Sequence, residues 1–449
     1  MKLQFKISKQ RSGAGATKSR SDSRQKYASL KSARFLSREP QHGDRSFLNK
    51  IDGWVFSRWQ ENARTFREFL SGLPGVYPSE VLCSLRRLQH RREIPEFDVL
   101  AVELDAATKP VLQRQPVGRE RRYIEHPLDF EWHFTRQGVI RVCEEIENLR
   151  LAPGSEVLCL GCPTVYLIGK LRLSHLKFRL WDKNAPPSDQ IEDAREISRT
   201  DISDVLPPFP SVAAVVIDPP WYREFYELFI WAGFNCLPLQ GRMILSSPPE
   251  GTRPTASQEF SAMIKWCSDL GLKLDSRVQC CLPYRSPLFE VNALRAQGVS
   301  NVPLNWRRGD LVVLTKLSGG SFAKPRCSSL SKNWDEMRVR SSRIKIHHGK
   351  RLDGAIFRPA GEYDIIPSVS SAHSHRLSAN VVTSGNRFFR TSVSDEVFEC
   401  LTAIDAAGPD WMRKIFIASK RPLLMRKVVD FVQAEENEAL QYFRRIHEI

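Results

Sequence analysis

The chain has 449 residues, of which 41% are hydrophobic. That is too long for one ordinary domain and apolar enough for a real core, so two or three domains are expected. Lys and Arg number 67 against 51 Asp and Glu, a net charge of +16, which favours a polyanionic partner such as nucleic acid. The ten cysteines are scattered without a paired framework, no apolar run approaches the length of a bilayer span, and no signal segment follows Met1-Lys2-Leu3-Gln4-Phe5-Lys6. A membrane role is not expected, and a reducing cytoplasm is the expected location.

In chain order, residues 1–45 are rich in Lys, Arg, Ser and Gln and read as a disordered basic arm, either a solvated tail or a tether for phosphates. Residues 46–118 read as a helical region. Trp54, Phe56, Trp59, Phe66 and Phe69 recur at near-helical spacing and belong in its core. Tyr123 to Thr135 is dense in aromatics and leads into a helix at about 136–150, with Thr135 as N-cap. Trp132 and Phe134 either pack there or form a lid over a cofactor.

An α/β unit is expected over 119–318, where strand and helix alternate. Strands are predicted at 156–160, 177–181, 212–217, 242–246, 277–282 and 310–315, and helices from after Thr164 through Leu173, at 223–237 and at 257–270. Residues 319–334 read as a linker. The remainder, 335–449, reads as a small α+β domain, with strands near Ile344-Lys345-Ile346 and Asn380-Val381-Val382-Thr383. Ser384-Gly385-Asn386 forms a turn, and an amphipathic helix carries Val428, Phe431, Val432, Ala439, Leu440 and Phe443. Substrate recognition is a role open to this domain.

The chemistry concentrates at Val212-Ala213-Ala214-Val215-Val216-Ile217-Asp218-Pro219-Pro220-Trp221-Tyr222. An unbroken, mostly β-branched run fits a buried central strand. The tandem prolines stop its ladder, because they carry no N–H and fix φ. Asp218 to Tyr222 therefore fall at the carboxyl end of a central strand, where open α/β sheets bind ligands. Asp218 can accept a hydrogen bond from an amine, the Pro219 carbonyl can accept another, and Trp221 or Tyr222 offers a flat face for stacking. Such a grip leaves the nitrogen lone pair free to attack, and it works by positioning rather than by a nucleophile or metal.

A second constellation is Val157-Leu158-Cys159-Leu160-Gly161-Cys162-Pro163-Thr164, a strand running through a single-glycine turn into a helix. Leu160, Gly161, Cys162, Pro163 and Thr164 are candidates to hold a nucleoside cofactor against backbone amides. Asp182 closes the next strand about twenty residues on, where an acid binds a ribose diol. Asp201 is a further carboxylate for an adenine amine. Cys159 and Cys162 make a C-x-x-C, but no second such pair follows, so no metal is expected. In Leu282-Pro283-Tyr284-Arg285-Ser286-Pro287-Leu288-Phe289-Glu290-Val291, Tyr284 and Phe289 are candidates to bound a substrate pocket and Arg285 to meet a phosphate; the alternative is a loop packed on the sheet. His347-His348 and His373-x-His375 fit a basic loop better than a metal site.

At these residues the chain resembles the N6-adenine-methyltransferase-like branch of class I S-adenosylmethionine-dependent methyltransferases. Asp218-Pro219-Pro220-Trp221 matches the amino-methyltransferase motif. Cys159-Leu160-Gly161-Cys162-Pro163-Thr164-Val165-Tyr166 is similar to the cofactor turn of the elongation-factor-1A lysine methyltransferases and of a zinc-finger rRNA adenine methyltransferase. The cofactor turn precedes Asp-Pro-Pro-Trp here, unlike the order in the mRNA-adenosine methyltransferases. The resemblance spans about 120–318 and implies a seven-stranded Rossmann-like sheet with S-adenosylmethionine as cofactor. It implies that Gly161 to Thr164 line the methionine and ribose, that Asp182 takes the ribose hydroxyls, that Asp201 approaches the cofactor adenine, and that Asp218 to Trp221 hold the target amine. Adenine N6 in RNA or DNA is the leading target. A protein lysine, a decayed nucleic-acid-binding subunit and, more remotely, an aminopropyl transferase are the alternatives.

Overall fold

The structure is a computed structural model and describes residues 45–73, 75–95, 132–183, 196–202, 209–296, 305–326, 334–348, 356–367, 375, 378–407 and 422–447. The basic arm up to residue 44, residues 96–131, the linker at 327–333 and His373 lie outside the described residues.

Three helices come first: α1 (Arg45–Gln60), α2 (Phe66–Ser71) and α3 (Pro78–His90). Thr65 opens α2 with a capping box: its hydroxyl accepts from the Glu68 N–H, and the Glu68 carboxylate accepts from the Thr65 N–H. Phe66 and Phe69 are buried, and Trp54, Phe56 and Trp59 pack partly buried on the same core. Buried Asp52 ties α1 to α3 by accepting from Ser84, Arg87 and Arg91. Burial opposes its charge, but the bonds from Arg87 and Ser84 win and hold its carboxyl below the usual range.

The central unit runs β1 (His133–Phe134), α4 (Arg136–Asn148), β2 (Glu156–Leu160), α5 (Pro163–Arg172), β3 (Lys177–Trp181), β4 (Ile197–Ser198), β5 (Ala214–Ile217), α6 (Arg223–Cys236) and β6 (Arg242–Ser247). It closes with α7 (Ala256–Leu270), β7 (Leu272–Arg285), α8 (Leu288–Arg295) and β8 (Arg308–Lys316). The strands form one sheet in the order β1-β7-β8-β6-β5-β2-β3-β4. Strands β2 to β6 are parallel, and β8 runs antiparallel between β6 and β7. This is the expected α/β, Rossmann-like sheet. It has eight strands rather than seven, because His133 and Phe134 pair with Arg285 and Tyr284 and add an edge. A two-residue strand leaves no period in the sequence to read.

Two further elements differ from expectation. Strand β7 is much longer than 277–282, because its first half is exposed near the sheet edge and its pattern breaks at a bulge between Val278 and Leu282, where Cys280 takes φ 49°. Helix α8 replaces the expected loop. Leu288 to Leu294 are buried on every side, so the helix has no polar face to reveal it.

The last described region holds β9 (Trp334–Val339), β10 (Ser342–His347), β11 (Arg358–Pro359), β12 (Val381–Thr383), β13 (Phe388–Arg390), α9 (Ser394–Ala406) and α10 (Pro422–His447). Its strands form an antiparallel sheet ordered β11-β13-β12-β10-β9. Val397 and Leu401 of α9 and Val428 and Val432 of α10 share the core of that sheet. Two buried bonds join this region to α8: Tyr442 Oη donates to the Ser286 carbonyl at 2.8 Å, and Asn292 Nδ2 donates to the Gly385 carbonyl at 2.9 Å. No helix among the described residues is long and apolar enough to cross a membrane.

Glu435 on α10 lies fully buried, accepting from Thr383 Oγ1 at 2.8 Å with Arg387 Nε at 2.9 Å. Burial dominates over Arg387 and pushes its carboxyl up to about 7. The folded chain thus keeps a proton that the unfolded chain, at the ordinary 4.5, releases. This contribution to stability is complete below the unfolded value and is lost as pH rises towards about 7. Urea unfolding across that window should show a steeper loss of stability in the wild type than in Glu435→Gln; equal slopes would refute the assignment.

Candidate active site

Register places the site. Leu160, Ile217 and Leu245 are partners across β2, β5 and β6, so β2 and β5 end level and β6 runs two residues further, to Ser247. The Asp218 N–H donates to the Leu160 carbonyl at 3.1 Å, one rung past the end of β5. Pro219 and Pro220 then end the ladder, and Tyr222 caps α6. Trp221 is half-buried, whereas Tyr222 is 53% exposed at the rim.

Asp218 is fixed by a chain of hydroxyls. Tyr284 Oη, from the end of β7, donates to Asp218 Oδ1 at 2.6 Å. Having given its proton there, the phenol accepts from the Ser246 hydroxyl at the end of β6. Tyr226 Oη donates to the Ser246 carbonyl at 3.2 Å. Burial, and then the Asp218 charge, push both phenols well above their ordinary range, so both stay protonated donors.

Trp221 meets Tyr284 edge-on, with centroids 5.5 Å apart at 90°. Gly309 makes room for this corner. A Cβ there would lie 3.0 Å from Tyr284 Cε2 and 3.2 Å from both Ser246 Oγ and Trp221 Cζ2. Arg253 Nη2 donates to the Trp221 carbonyl at 2.6 Å and pairs with Glu259. The Arg307 guanidinium lies 5.2 Å from the Trp221 ring centroid.

The turn after β2 abuts the same corner. Gly161 takes φ 67°, and a Cβ there would sit 2.8 Å from Phe229 Cε1 and 3.2 Å from the Asp218 carbonyl, so only glycine fits. Its N–H donates to the Trp181 carbonyl at 2.9 Å. Cys162 precedes α5 and Pro163 opens it, so the first-turn amides around Thr164 face this end of the sheet. Cys159 and Cys162 are buried, and the Cys162 thiol lies 3.4 Å from the Val216 carbonyl. Burial, reinforced by Cys159, pushes that thiol well up, so it stays un-ionised. Asp182 follows β3, only 6% exposed, and its N–H donates to the Ser198 carbonyl. Asp201 lies past β4 and pairs with Lys183 at 3.1 Å.

The structure therefore brings Gly161 to Thr164, Asp182 and Asp218 to Trp221 together at the ends of three neighbouring strands. Tyr284 joins them as a buried partner of Asp218. Arg285, opposite His133, and Phe289, edge-on to Trp132 at 5.9 Å, lie further along the β7–α8 connection. Phe134 packs on Tyr284 at 4.5 Å and is buried. His348 sits between Asp335 and Asp395, at 3.1 and 2.6 Å. Among the described residues no group of three or more His, Cys, Asp or Glu is arranged to hold a metal ion. Sequence reasoning missed Ser246, Tyr226, Arg253, Gly309 and Arg307. Ser246 closes a predicted strand and could have been found there; the others carry no linear signal.

No family model and no curated protein matches the chain. Solved structures do. The branched-chain polyamine synthase of Thermus thermophilus, in complex with N4-aminopropylspermidine and 5'-methylthioadenosine, is 13% identical over 62% of this chain and 90% of its own, with a TM-score of 0.48. TrmN from the same organism is 18% identical over 40% of this chain and 48% of its own, with a TM-score of 0.26. The magnesium protoporphyrin IX methyltransferase of Synechocystis, with bound SAM, is 13% identical over 40% of this chain and 78% of its own, with a TM-score of 0.28.

Tyr284→Phe removes a hydrogen bond to a charged acceptor, an interaction of about 1.5–3 kcal/mol. If Asp218 holds the target amine, turnover should fall about tenfold to a hundredfold while the thermal midpoint stays within a few degrees. Gly309→Ala should lower turnover in the same way, because the new methyl displaces Trp221 and Tyr284 together. Wild-type turnover in both variants would show that Asp218 needs no such support.

Proposed function

We propose that this chain is an S-adenosylmethionine-dependent methyltransferase acting on an exocyclic amine, with adenine N6 in RNA or DNA as the target. The observation that carries the reading is Asp218, fixed by Tyr284 beside the Pro219 carbonyl and Trp221, directly across from the Gly161 turn. The cofactor fits the residues present. The turn that only glycine can make, the first-turn amides of α5 and the carboxylate of Asp182 on the next strand form one cradle. Leu160, Gly161, Cys162, Pro163 and Thr164 hold the methionine and ribose side, Asp182 the ribose hydroxyls, and Asp201 flanks the adenine. S-adenosylmethionine supplies the electrophilic methyl group.

The rest is positioning. The Asp218 carboxylate and the Pro219 carbonyl accept the two N–H bonds of the target amine. Pro219-Pro220 keeps those acceptors rigid, and the nitrogen lone pair is left pointing out of the base plane. Trp221 gives the base a stacking surface, and Tyr222 stands exposed at the mouth. N6 is out of reach inside a stacked duplex, so the adenine must be unpaired or flipped out. The net charge of +16 supports a nucleic-acid partner. The described cysteines are free thiols, which fits a reducing cytoplasm.

Incubation with methyl-tritiated S-adenosylmethionine and host lysate tests this directly. Label is expected in the nuclease-sensitive fraction and is expected to vanish with Asp218→Ala, while calorimetry still shows cofactor binding by that variant. Label in the protease-sensitive fraction would replace adenine with lysine. Release of 5'-methylthioadenosine from decarboxylated S-adenosylmethionine, without methyl transfer, would replace methylation with aminopropyl transfer.

A further inference from the structure

Arg307, in the connection leading into β8, is enclosed by aromatic rings from four separate places in the chain. Its guanidinium carbon lies 3.8 Å from the ring centroid of Trp132, 4.9 Å from Trp306, 5.2 Å from Trp221 and 6.0 Å from Tyr77. The rings brace one another: Tyr77 meets Trp306 edge-on at 5.4 Å, and Trp132 meets Trp306 at 6.5 Å. Arg307 Nε is buried and makes no hydrogen bond. Its ion partner among the described residues is Glu290 on α8, with Nη2 3.3 Å from Oε1, and Trp306 Nε1 donates to the other carboxylate oxygen at 3.1 Å.

Such a cage of rings is how proteins hold a ligand cation. Here the chain's own guanidinium fills it, one indole away from the amine-holding corner at Asp218. Glu290 compensates that charge only in part. It is fully buried, and burial outweighs Arg307 and pushes its carboxyl up to about 7, so near neutrality much of it carries a proton. The neighbouring Arg253 is matched by Glu259. Among the described residues Arg307 is thus an incompletely balanced charge beside Trp221. A cation on one side of an indole also draws on its π cloud, which weakens the attraction of the ring for a second cation.

We infer that Arg307 is a specificity-determining residue of the acceptor site, admitting a neutral amine such as that of a purine and disfavouring an ammonium such as that of lysine or a polyamine. This rests on the reading of Asp218 as the group that holds the target amine. Arg307 lies 5.2 Å from the Trp221 centroid, so an ammonium on the far face of that ring would lie roughly 9 Å away, where like charges at an effective dielectric of about 20 shift affinity by about tenfold. The N-terminal helical region gains a role on the same argument, since Tyr77 supplies one wall of the cage.

The test uses the full chain saturated with S-adenosylhomocysteine, which closes the cofactor site to the probes. Dissociation constants are measured for adenosine, a neutral probe, and for n-butylammonium, a cationic one. The wild type should favour adenosine. Arg307→Gln should move the ratio towards n-butylammonium by about tenfold. Arg307→Lys, which keeps the charge but loses the flat stack, should keep the wild-type ratio. Glu290→Gln, compared with the wild type above pH 7 where the compensating carboxylate is ionised, should move the ratio the other way. A purely structural role would weaken both probes alike and make Arg307→Lys resemble Arg307→Gln. An unchanged ratio in Arg307→Gln, or in Glu290→Gln should the first variant not fold, overturns the inference while leaving the acceptor reading intact. Wild-type binding of both probes by Asp218→Ala overturns that reading, and this inference with it.

Discussion

The bond from Tyr284 to Asp218 is the constraint on which the candidate site depends. Asp218 stands on the last rung of a buried parallel strand, where its main chain is fixed but its side chain could rotate. Tyr284 removes that freedom. It arrives from β7, which lies two strands beyond β6 in the sheet, so the bond crosses β6 and β8 to reach its partner. The crossing works only because Ser246 is small and Gly309 has no side chain. A buried phenol beside a carboxylate is held well above its ordinary range, so it remains a protonated donor near neutrality.

The flanking regions are built into this arrangement. Helix α8 follows Tyr284 after three residues, and its neighbours reach it from both ends of the chain. Leu288, Val291 and Leu294 share a core with Phe66, Phe69 and Leu85 of the N-terminal helices and with Tyr442 of α10. Tyr442 and Asn292 make the polar links to the C-terminal sheet. Glu290 extends from the same helix to Trp306 and Arg307. A disturbance in either flank therefore has a short physical route to Trp221, through one buried helix and one caged cation. Buried polar groups of this kind are costly unless each is matched, which makes them sharp specifiers of geometry.

The basic surplus of the chain and the charge arrangement near Trp221 act at different ranges. Net charge steers a polyanion towards the surface through long-range, salt-sensitive attraction. The caged guanidinium acts within a few ångströms on whatever occupies the corner. Both are consistent with the acceptor class proposed above, a neutral base carried on a negative backbone.

What the sequence determined by itself is what local physics encodes. The β-branched run before Asp218 could only be a buried strand, the two prolines had to end it, and Gly161 had to make the turn after β2. Parallel strands with their ends level then follow from alternating strands and helices, so Gly161, Asp182 and Asp218 were legible as neighbours at one end of the sheet. Only the tertiary structure decided the rest. The two-residue edge strand and the all-round-buried α8 carry no periodicity to read. Tyr284 was legible as a residue near the site, but not as the partner of Asp218, because they lie 66 residues apart and meet through a strand register that the sequence does not state. Gly309 is one glycine among 24, and Arg307 one of 67 basic residues. Each acquires its meaning from the rings around it, and those rings are gathered from segments that only packing brings together.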